Sequence, residues 1–338
     1  MTMAAAEQMS TRRSLSLLRL GCAGLIERFA PESNLSVAPE MHEVSEQDLR
    51  YLFAQNADSA LYLPFDPDAA PQQLYQHLAD RQMSLAREVG ALFEDARLRW
   101  AFVQGVESTS RLFHGAAFAR RGDIDILIAS SDAARAETIL RGIELRQFAL
   151  SEDGNEAVLV DHDFAAAVTA DQYYKKTYPF SRVERLDLPT EVSAAAPSTA
   201  PPMFRNARGV FAFLGVEMVT SYTEAIATED LLETRQVEQG NLTFLDPDIN
   251  FVITAKRLYD GLLRKEPRLR ILCELAVRYA RNGCSKRVET LTRRFGVATE
   301  FDTVMEMVRC LVEPADEWRA TPEMLAEYLS HSVRAFNR

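Results

Sequence analysis

Two kinds of hydrophobic pattern alternate along the chain, and the first is an apolar stripe at helical spacing. It is found at residues 11–29, 44–55 and 72–97, and the second of these segments opens on a Ser-x-x-Asp sequence typical of a helix N-terminus. Residues 131–142 also suit a helix. From about Asp248 to the C-terminus four further segments carry an apolar stripe, which predicts a helical region.

The second pattern is a short, continuous apolar run, which predicts a strand. RWAFVQG (99–105) stops at a glycine, DIDILIA (123–129) begins with two aspartates, and EAVLVDHDF (156–164) ends among carboxylates. Residues 207–222 could add one more strand or a hairpin. In contrast, residues 190–206 are rich in Ala, Ser, Thr and Pro, which predicts a linker or loop.

Together these patterns predict an α+β fold in four parts. They are an N-terminal helical segment (1–70), an α/β core (71–189), a linker or loop (190–206) and a mostly helical C-terminal domain (207–338). The 338 residues, 47% of them hydrophobic, can bury a large core, and this length favours two domains.

Charge and cysteine usage narrow the class of protein. The net charge is -11, from 38 Lys and Arg against 49 Asp and Glu, which disfavours broad binding of nucleic acid. Cys22, Cys273, Cys284 and Cys310 are widely spaced and form no C-x-x-C pair, as expected for reduced thiols. No apolar run approaches the ~20 residues needed to span a bilayer, and residues 11–29 lack a clean signal-peptide cleavage site. We therefore expect a cytoplasmic protein that does not bind membranes.

Asp123 and Asp125 are the strongest candidates for chemistry. In a strand their side chains project from one face, with Cα atoms roughly 6.5 to 7 Å apart, so both carboxylates could bind one divalent cation. Magnesium suits such a pair, because it prefers oxygen ligands and is commonly held by one or two carboxylates together with substrate phosphates. The alternative is a solvated strand end in which the aspartates form ion pairs with Arg120 and Arg121.

The segment VQGVESTSRLFHGAAFARRGDIDILIA (103–129) resembles the nucleotidyltransferase superfamily of the polymerase-beta type, and most of all its poorly characterised bacterial branch. EAVLVDHDF resembles the strand that supplies a further carboxylate in that family, and the helical pattern up to about residue 285 resembles the helices that follow its catalytic module. The resemblance implies a small mixed-sheet nucleotidyltransferase core with N-terminal helices and a C-terminal helical domain. It also implies a magnesium-dependent enzyme that transfers a nucleoside monophosphate from an NTP to a hydroxyl or phosphate group of a small molecule or a protein. The resemblance does not name the acceptor, and ATP is the expected donor only because it is the commonest.

The resemblance also assigns roles at a two-metal site. Asp123 and Asp125 would bind both magnesium ions. A third carboxylate would help to lower the pKa of the acceptor hydroxyl, and the candidates are Asp161 and Asp163. Asp161 aligns better after the apolar VLV run. The alternative for both residues is a polar strand end with no ligand role.

The triphosphate would lie on a loop and helix start that include Gly105 and Ser108. Lys175 and Lys176 could neutralise phosphate charge, or could simply be solvated on a loop.

Two alternative functions remain open on the sequence alone. Val106 and Glu107 follow Gly105 where the superfamily usually has a small residue, and an acidic side chain near a triphosphate is unfavourable. These residues favour a catalytically degenerate binding protein or antitoxin-like partner with the same fold. A D-x-D glycosyltransferase is the other alternative, and it is disfavoured because the apolar residues follow Asp123 and Asp125 instead of preceding them.

Overall fold

A computed structural model describes residues 9–33, 44–170, 175–197, 199–200, 202–222, 226–238, 240–266, 268–313 and 322–337. Residues 1–8 and 34–43 of the predicted N-terminal segment, and residues 198 and 201 of the predicted linker, lie outside this description. The chain divides into two units, one made of residues 1–67 and 254–338, the other of residues 68–253.

The first unit is helical. Its helices are α1 (Thr11–Phe29), α2 (Glu46–Ala54), α3 (Ser59–Phe65), α11 (Leu269–Asn282), α12 (Lys286–Arg294), α13 (Ala298–Val312) and α14 (Glu323–Phe336), together with the end of α10 (Pro247–Leu263), which begins in the second unit. Around α1 pack α3, α11, α13 and α14. Close approach of α1 to α3 depends on Gly21, where an added Cβ would lie 2.9 Å from that of Ala60.

The start of α2 confirms the predicted capping sequence. The Ser45 hydroxyl accepts a hydrogen bond from the backbone N–H of Asp48, and the Asp48 carboxylate accepts one from the backbone N–H of Ser45. Asp48 also pairs with Arg13 on α1 at 3.0 Å from Nε. These bonds lower the pKa of Asp48 although its burial opposes them. The same carboxylate therefore caps the N-terminus of α2 and links this helix to α1.

The second unit combines one mixed sheet with helices. Its helices are α4 (Ala70–Asp95), α5 (Gly105–Glu107), α6 (Ala133–Gly142), α7 (His162–Ala170), α8 (Thr190–Ala195), α9 (Thr228–Leu232) and the start of α10, and a turn of π-helix spans Ser108–Leu112. Its strands are β1 (Trp100–Phe102), β2 (Asp123–Ile128), β3 (Arg146–Leu150), β4 (Ala157–Leu159), β5 (Lys175–Lys176), β6 (Phe180–Arg185), β7 (Thr199–Ala200), β8 (Met203–Asn206), β9 (Gly209–Ser221), β10 (Gln236–Glu238) and β11 (Leu242–Phe244).

The strands follow the order β10-β11-β1-β2-β9-β6-β3-β4, and β5 and β8 also pair with β9. Neighbours β1 and β2 are antiparallel, whereas β2 and β9 are parallel and β9 and β6 are antiparallel. The long strand β9 therefore lies beside β2 near the centre of the sheet. This observation confirms the coarse prediction of an α+β fold with a mixed sheet.

One face of the sheet is the hydrophobic core of this unit. Ile124, Ile126 and Ile128 of β2 are fully buried there with Phe180 of β6 and Val216 of β9. Apolar residues of α4, α6 and α8 cover them, and burial of each such side chain contributes roughly 1.5 to 3 kcal/mol to folding. Because side chains alternate along β2, Asp123 and Asp125 project from the opposite face. Packing of the isoleucines thus fixes which way the two aspartates point.

The boundaries of the predicted domains need correction. Residues 190–206 are not a plain linker, since they contain α8, β7 and β8, and β8 pairs with β9. Residues 209–253 belong to the unit that contains the sheet, so the helical C-terminal part begins at about 254 instead of 207. Long-range pairing of β9 with β2 and β6 draws this segment into the sheet, and no local pattern reports such pairing.

In the parts of the chain that the structure describes, no helix is both long and apolar enough to cross a membrane.

Candidate metal centre

Three carboxylates converge where β2 and β9 run side by side. The parallel register places Asp123 opposite Gly215 and Asp125 opposite Glu217. One carboxylate oxygen from each of Asp123, Asp125 and Glu217 lies within 4.8 Å of the others. The alternation of β2 puts two of them on one face, and strand pairing brings the third to the same face.

Burial distinguishes this cluster from a solvated strand end. Glu217 is only 1% exposed and Asp125 only 8%, while Asp123 is partly exposed. Buried carboxylates that lie close together are costly in their charged forms, because desolvation and mutual repulsion both disfavour negative charge. The arrangement is therefore one that a cation would stabilise.

The ionisation of Glu217 is strongly perturbed. Its pKa is raised to about 9, mainly by burial and further by the nearby carboxylates of Asp123 and Asp125. Lys176 on β5 opposes it, with Nζ donating to Glu217 Oε2 at 2.8 Å. The other oxygen, Oε1, is buried and accepts no hydrogen bond from a donor in the described part of the chain. One oxygen of Glu217 thus remains available to a cation.

The three side chains could hold a metal ion of the oxygen-seeking kind. They offer carboxylate oxygens, with neither thiolate nor imidazole among them, and this set suits Mg²⁺, Mn²⁺ or Ca²⁺ better than zinc. Ligand oxygens at about 2.1 Å from Mg²⁺ lie roughly 3 to 4 Å from one another, which is compatible with the spacing here.

The predicted third carboxylates lie elsewhere. Asp161 follows β4 and caps α7, accepting a hydrogen bond from the backbone N–H of Phe164 at 2.7 Å, and Asp163 is exposed in the first turn of that helix. The predicted strand 156–164 is shorter than expected, since β4 covers only Ala157–Leu159. Three strands separate β4 from β2, so at about 4.8 Å per step the two lie on the order of 19 Å apart. Neither Asp161 nor Asp163 joins the cluster, and Glu217 takes the place that we had assigned to them.

Glu217 is the functional candidate that our reading of the sequence missed. The sequence around it, GVEMV, is an apolar strand interrupted by one acidic residue. A single charged residue in an otherwise buried strand is costly unless it is paired or binds a cation. An isolated glutamate in an apolar run is therefore a sequence signal for a functional residue. The predicted C-terminal domain (207–338) includes Glu217, so the sequence alone does not place it beside Asp123 and Asp125.

The turn after β1 lies on the side of β2 away from β9, because β1 and β9 are the two neighbours of β2 in the sheet. The backbone N–H of Val103 donates to the carbonyl of Asp125, and Gln104 has a positive φ of 55° before Gly105 begins α5. An added Cβ at Gly105 would lie 2.7 Å from the Arg121 guanidinium, so a larger residue here would require the Arg121 side chain to shift. Ser108 is fully buried in the turn of π-helix.

The two predicted phosphate-binding lysines have different environments. Lys176 lies in the cluster through its ion pair with Glu217, and its side chain is only 16% exposed. Lys175, the preceding residue, is exposed. Only one of the pair is therefore placed to act at the carboxylates.

No protein family model matches this chain, and no curated protein sequence matches it. A functional assignment therefore rests on the geometry of the carboxylate cluster and its surroundings.

Proposed function

We propose that the protein is a magnesium-dependent nucleotidyltransferase that transfers a nucleoside monophosphate from an NTP to a hydroxyl or phosphate group. The observation that carries this proposal is the convergence of Asp123, Asp125 and Glu217 from two adjacent strands. Two carboxylates on one strand and a third on its neighbour are the ligand set that two-metal phosphoryl chemistry uses.

The residues have separate tasks in this reaction. Asp123 and Asp125 would hold the metal ions, and Glu217 would add a ligand on the side of β9. Magnesium, when bound, would neutralise phosphate charge and lower the pKa of the acceptor hydroxyl. The acceptor oxygen forms a bond to the α-phosphorus, the bond from that phosphorus to the oxygen bridging the β-phosphate breaks, and pyrophosphate leaves. The acceptor proton passes to a carboxylate or to water.

Lys176 is the cation best placed to contact the phosphates. It already donates to Glu217, and a metal ion that takes over this carboxylate would leave its ammonium group beside the substrate charge. ATP remains the expected donor.

A catalytically silent nucleotide-binding or antitoxin-like protein is the second candidate. It is favoured by the turn after β1, because Glu107 and Ser108 are both buried, at 1% and 0% exposure, instead of facing an open phosphate site. The glycosyltransferase alternative has less support, since β2 begins at Asp123 and no apolar strand leads into the D-x-D sequence.

Calorimetric titration with each of the four NTPs, with and without Mg²⁺, tests the proposal. We expect one NTP to bind only with Mg²⁺, and we expect Asp123→Asn with Asp125→Asn, or Glu217→Gln alone, to abolish that binding. Asp161→Asn is the matched control and should bind as the wild type does, because Asp161 lies outside the cluster. Unchanged binding in the Glu217→Gln variant would overturn the proposed site.

Transfer of the labelled α-phosphate to an acceptor then distinguishes the two candidate functions. An enzyme should transfer label from the α-phosphate of the bound NTP to an acceptor in a metabolite or protein extract. Tight binding of the NTP together with no transfer to any fraction would favour the binding protein.

A further inference from the structure

A cavity of about 310 Å³ adjoins the carboxylate cluster. It extends from Asp123 across the sheet toward β3 and is lined by Phe148, Leu150, Tyr178 and Phe213. Its volume is at the lower end of the range for small-molecule sites, where apolar and aromatic walls with a few polar groups are usual.

The cavity lies on the face of the sheet that carries the carboxylates. Ser181 of β6 is opposite Gly215 of β9, which is itself opposite Asp123 of β2. An added Cβ at Gly215 would lie 3.1 Å from Ser181 Oγ and 3.8 Å from the Cβ of Asp123. Absence of a side chain at Gly215 therefore leaves space between Asp123 and the cavity.

Its lining is apolar and carries no positive charge. None of the described residues around it is a lysine or an arginine, so it is unsuited to a triphosphate. The Tyr178 hydroxyl donates to the carbonyl of Phe148 at 3.1 Å and is thus engaged within the wall. Among the described lining residues, Asp123 and Ser181 also have polar side chains. The half-buried rings of Phe148, Tyr178 and Phe213 offer flat apolar surface.

The cavity and the turn after β1 lie on opposite sides of the carboxylates. In the sheet, β1 is the neighbour of β2 on one side, whereas β9, β6 and β3 follow on the other. The reaction needs its acceptor and its leaving pyrophosphate on opposite sides of the α-phosphorus. The cavity lining carries no positive charge to meet the triphosphate, which leaves this aromatic side to the acceptor.

We propose that this cavity binds the acceptor, and that the acceptor is an uncharged molecule with an aromatic or similarly flat apolar body and a hydroxyl group presented toward Asp123. This inference rests on the proposed nucleotidyltransferase function, since it assigns the substrate class of the same site. Phe148 and Phe213 hold the apolar body, and Ser181 is a hydrogen-bonding group of the cavity wall on the same face of the sheet as Asp123.

The test measures binding of two neutral probes, 2-naphthol and 2-phenylethanol, to the full chain by ligand-observed NMR and fluorescence. Glycerol and glycerol 3-phosphate serve as comparison ligands without an aromatic body. We expect both aromatic alcohols to bind and neither glycerol compound to do so. Phe148→Ala should weaken 2-naphthol binding about tenfold, the scale of losing one aromatic contact surface. Phe148→Leu is the second variant and tests the same contact if the alanine variant does not fold.

Phe211→Ala is the matched control, because Phe211 lies on β9 two residues before Phe213, stacks on Phe204 and does not line the cavity. It should leave 2-naphthol binding within twofold of the wild type. Equal weakening by Phe211→Ala and Phe148→Ala, or no binding of either aromatic alcohol, would overturn the proposal.

Two further titrations distinguish the acceptor from the donor and separate this inference from the proposed function. Adenosine without phosphate should not displace 2-naphthol, and displacement would mean that the cavity holds the donor base, which overturns the acceptor assignment. Titration with Mg²⁺ and ATP is run on the same samples. Binding of Mg²⁺ and ATP without binding of the alcohols would refute the cavity alone, whereas binding of the alcohols without any NTP would refute nucleotidyl transfer and leave an aromatic-binding site.

Discussion

The surroundings of Glu217 favour its protonated form, because burial and the two nearby carboxylates disfavour a negative charge there. Its pKa is raised from about 4.5 to about 9, first by burial and then by Asp123 and Asp125. The folded protein therefore retains a proton at Glu217 over a pH range in which the unfolded chain has lost it. A divalent cation reverses this preference, since it interacts favourably with all three charged carboxylates.

The stability of the metal-free protein should consequently fall as the pH rises. With the folded pKa above the unfolded value, the stabilising effect of Glu217 is complete below pH 4.5 and is lost progressively between about 4.5 and 9. One retained proton corresponds to at most about 1.4 kcal/mol of unfolding free energy per pH unit. Urea unfolding in EDTA at pH 6 and pH 8 should show wild type losing more stability than Glu217→Gln, in which this group no longer titrates. Equal losses in the two proteins would contradict the assignment, and Asp161→Asn should behave as wild type.

Lys176 and Lys175 offer a matched comparison at adjacent positions. Lys176 is bonded to Glu217, whereas Lys175 is exposed. If Lys176 contacts phosphate during the reaction, Lys176→Met should weaken binding of the magnesium-bound NTP about tenfold, as loss of one charged hydrogen bond would. Lys175→Met should change it less than twofold. Calorimetry of the two variants measures this difference, and similar effects of both substitutions would show that Lys176 does not contact the phosphates.

The residues of the cluster were predictable to different degrees. Period-two alternation was enough to place Asp123 and Asp125 on one face, and the structure confirms it. Glu217 was not found because its proximity to them arises from parallel pairing of β2 with β9, distant in sequence. Asp161 was preferred because it follows an apolar run, yet an aspartate at that place also suits a helix cap, and capping is the role that the structure shows.

At the scale of elements, α4 packs against the sheet through a glycine. An added Cβ at Gly90 would overlap the backbone carbonyl oxygen of Asn241, which precedes β11, and would contact Trp100 at 3.3 Å. A backbone neighbour cannot move as a flexible side chain can, so α4 would have to shift away from the sheet.

Gly90→Ala should therefore destabilise the protein by about 1 to 3 kcal/mol, the usual range for overpacking, although alanine is the better helix former. Gly142→Ala at the end of α6 is the control, because nothing lies within 4 Å of the added Cβ. It should leave stability unchanged or raise it by up to about 1 kcal/mol. Thermal and urea unfolding of both variants measure the difference. A Gly90→Ala variant as stable as Gly142→Ala would mean that α4 does not approach β11 so closely.

Helices with a strong local sequence pattern were predicted well. Strands that form by pairing with another strand of the sheet were not. The apolar stripes of α1 and α4 and the capping sequence of α2 match the structure within a few residues. The strands β7 and β8 arise within a segment whose composition predicted a loop, and β8 is ordered by pairing with β9. Composition describes what a segment favours alone, and pairing in the sheet overrides it.

At the scale of the whole molecule, the carboxylate cluster, Lys176 and the aromatic cavity all come from residues 68–253. The described residues of the helical unit, which is built from both ends of the chain, contribute none of these groups. The sequence suggested two domains from its length, but it could not show that residues 1–67 belong with residues 254–338, because that association depends on packing of α1 against α11, α13 and α14.

Mg²⁺ should therefore stabilise one unit locally. Binding at the cluster links β2 to β9, so hydrogen exchange should slow in these strands and in the turn after β1 when Mg²⁺ is added. At a hundredfold excess over the dissociation constant the stabilisation is about 2.7 kcal/mol, or a roughly hundredfold reduction in exchange through opening of this unit. Helices α1, α11 and α13 should exchange at the same rate with and without the metal, because none of them supplies a ligand. Asp125→Asn should remove the effect on β2 and β9, whereas protection confined to α1 and α11 would place the cation outside the cluster and refute the site.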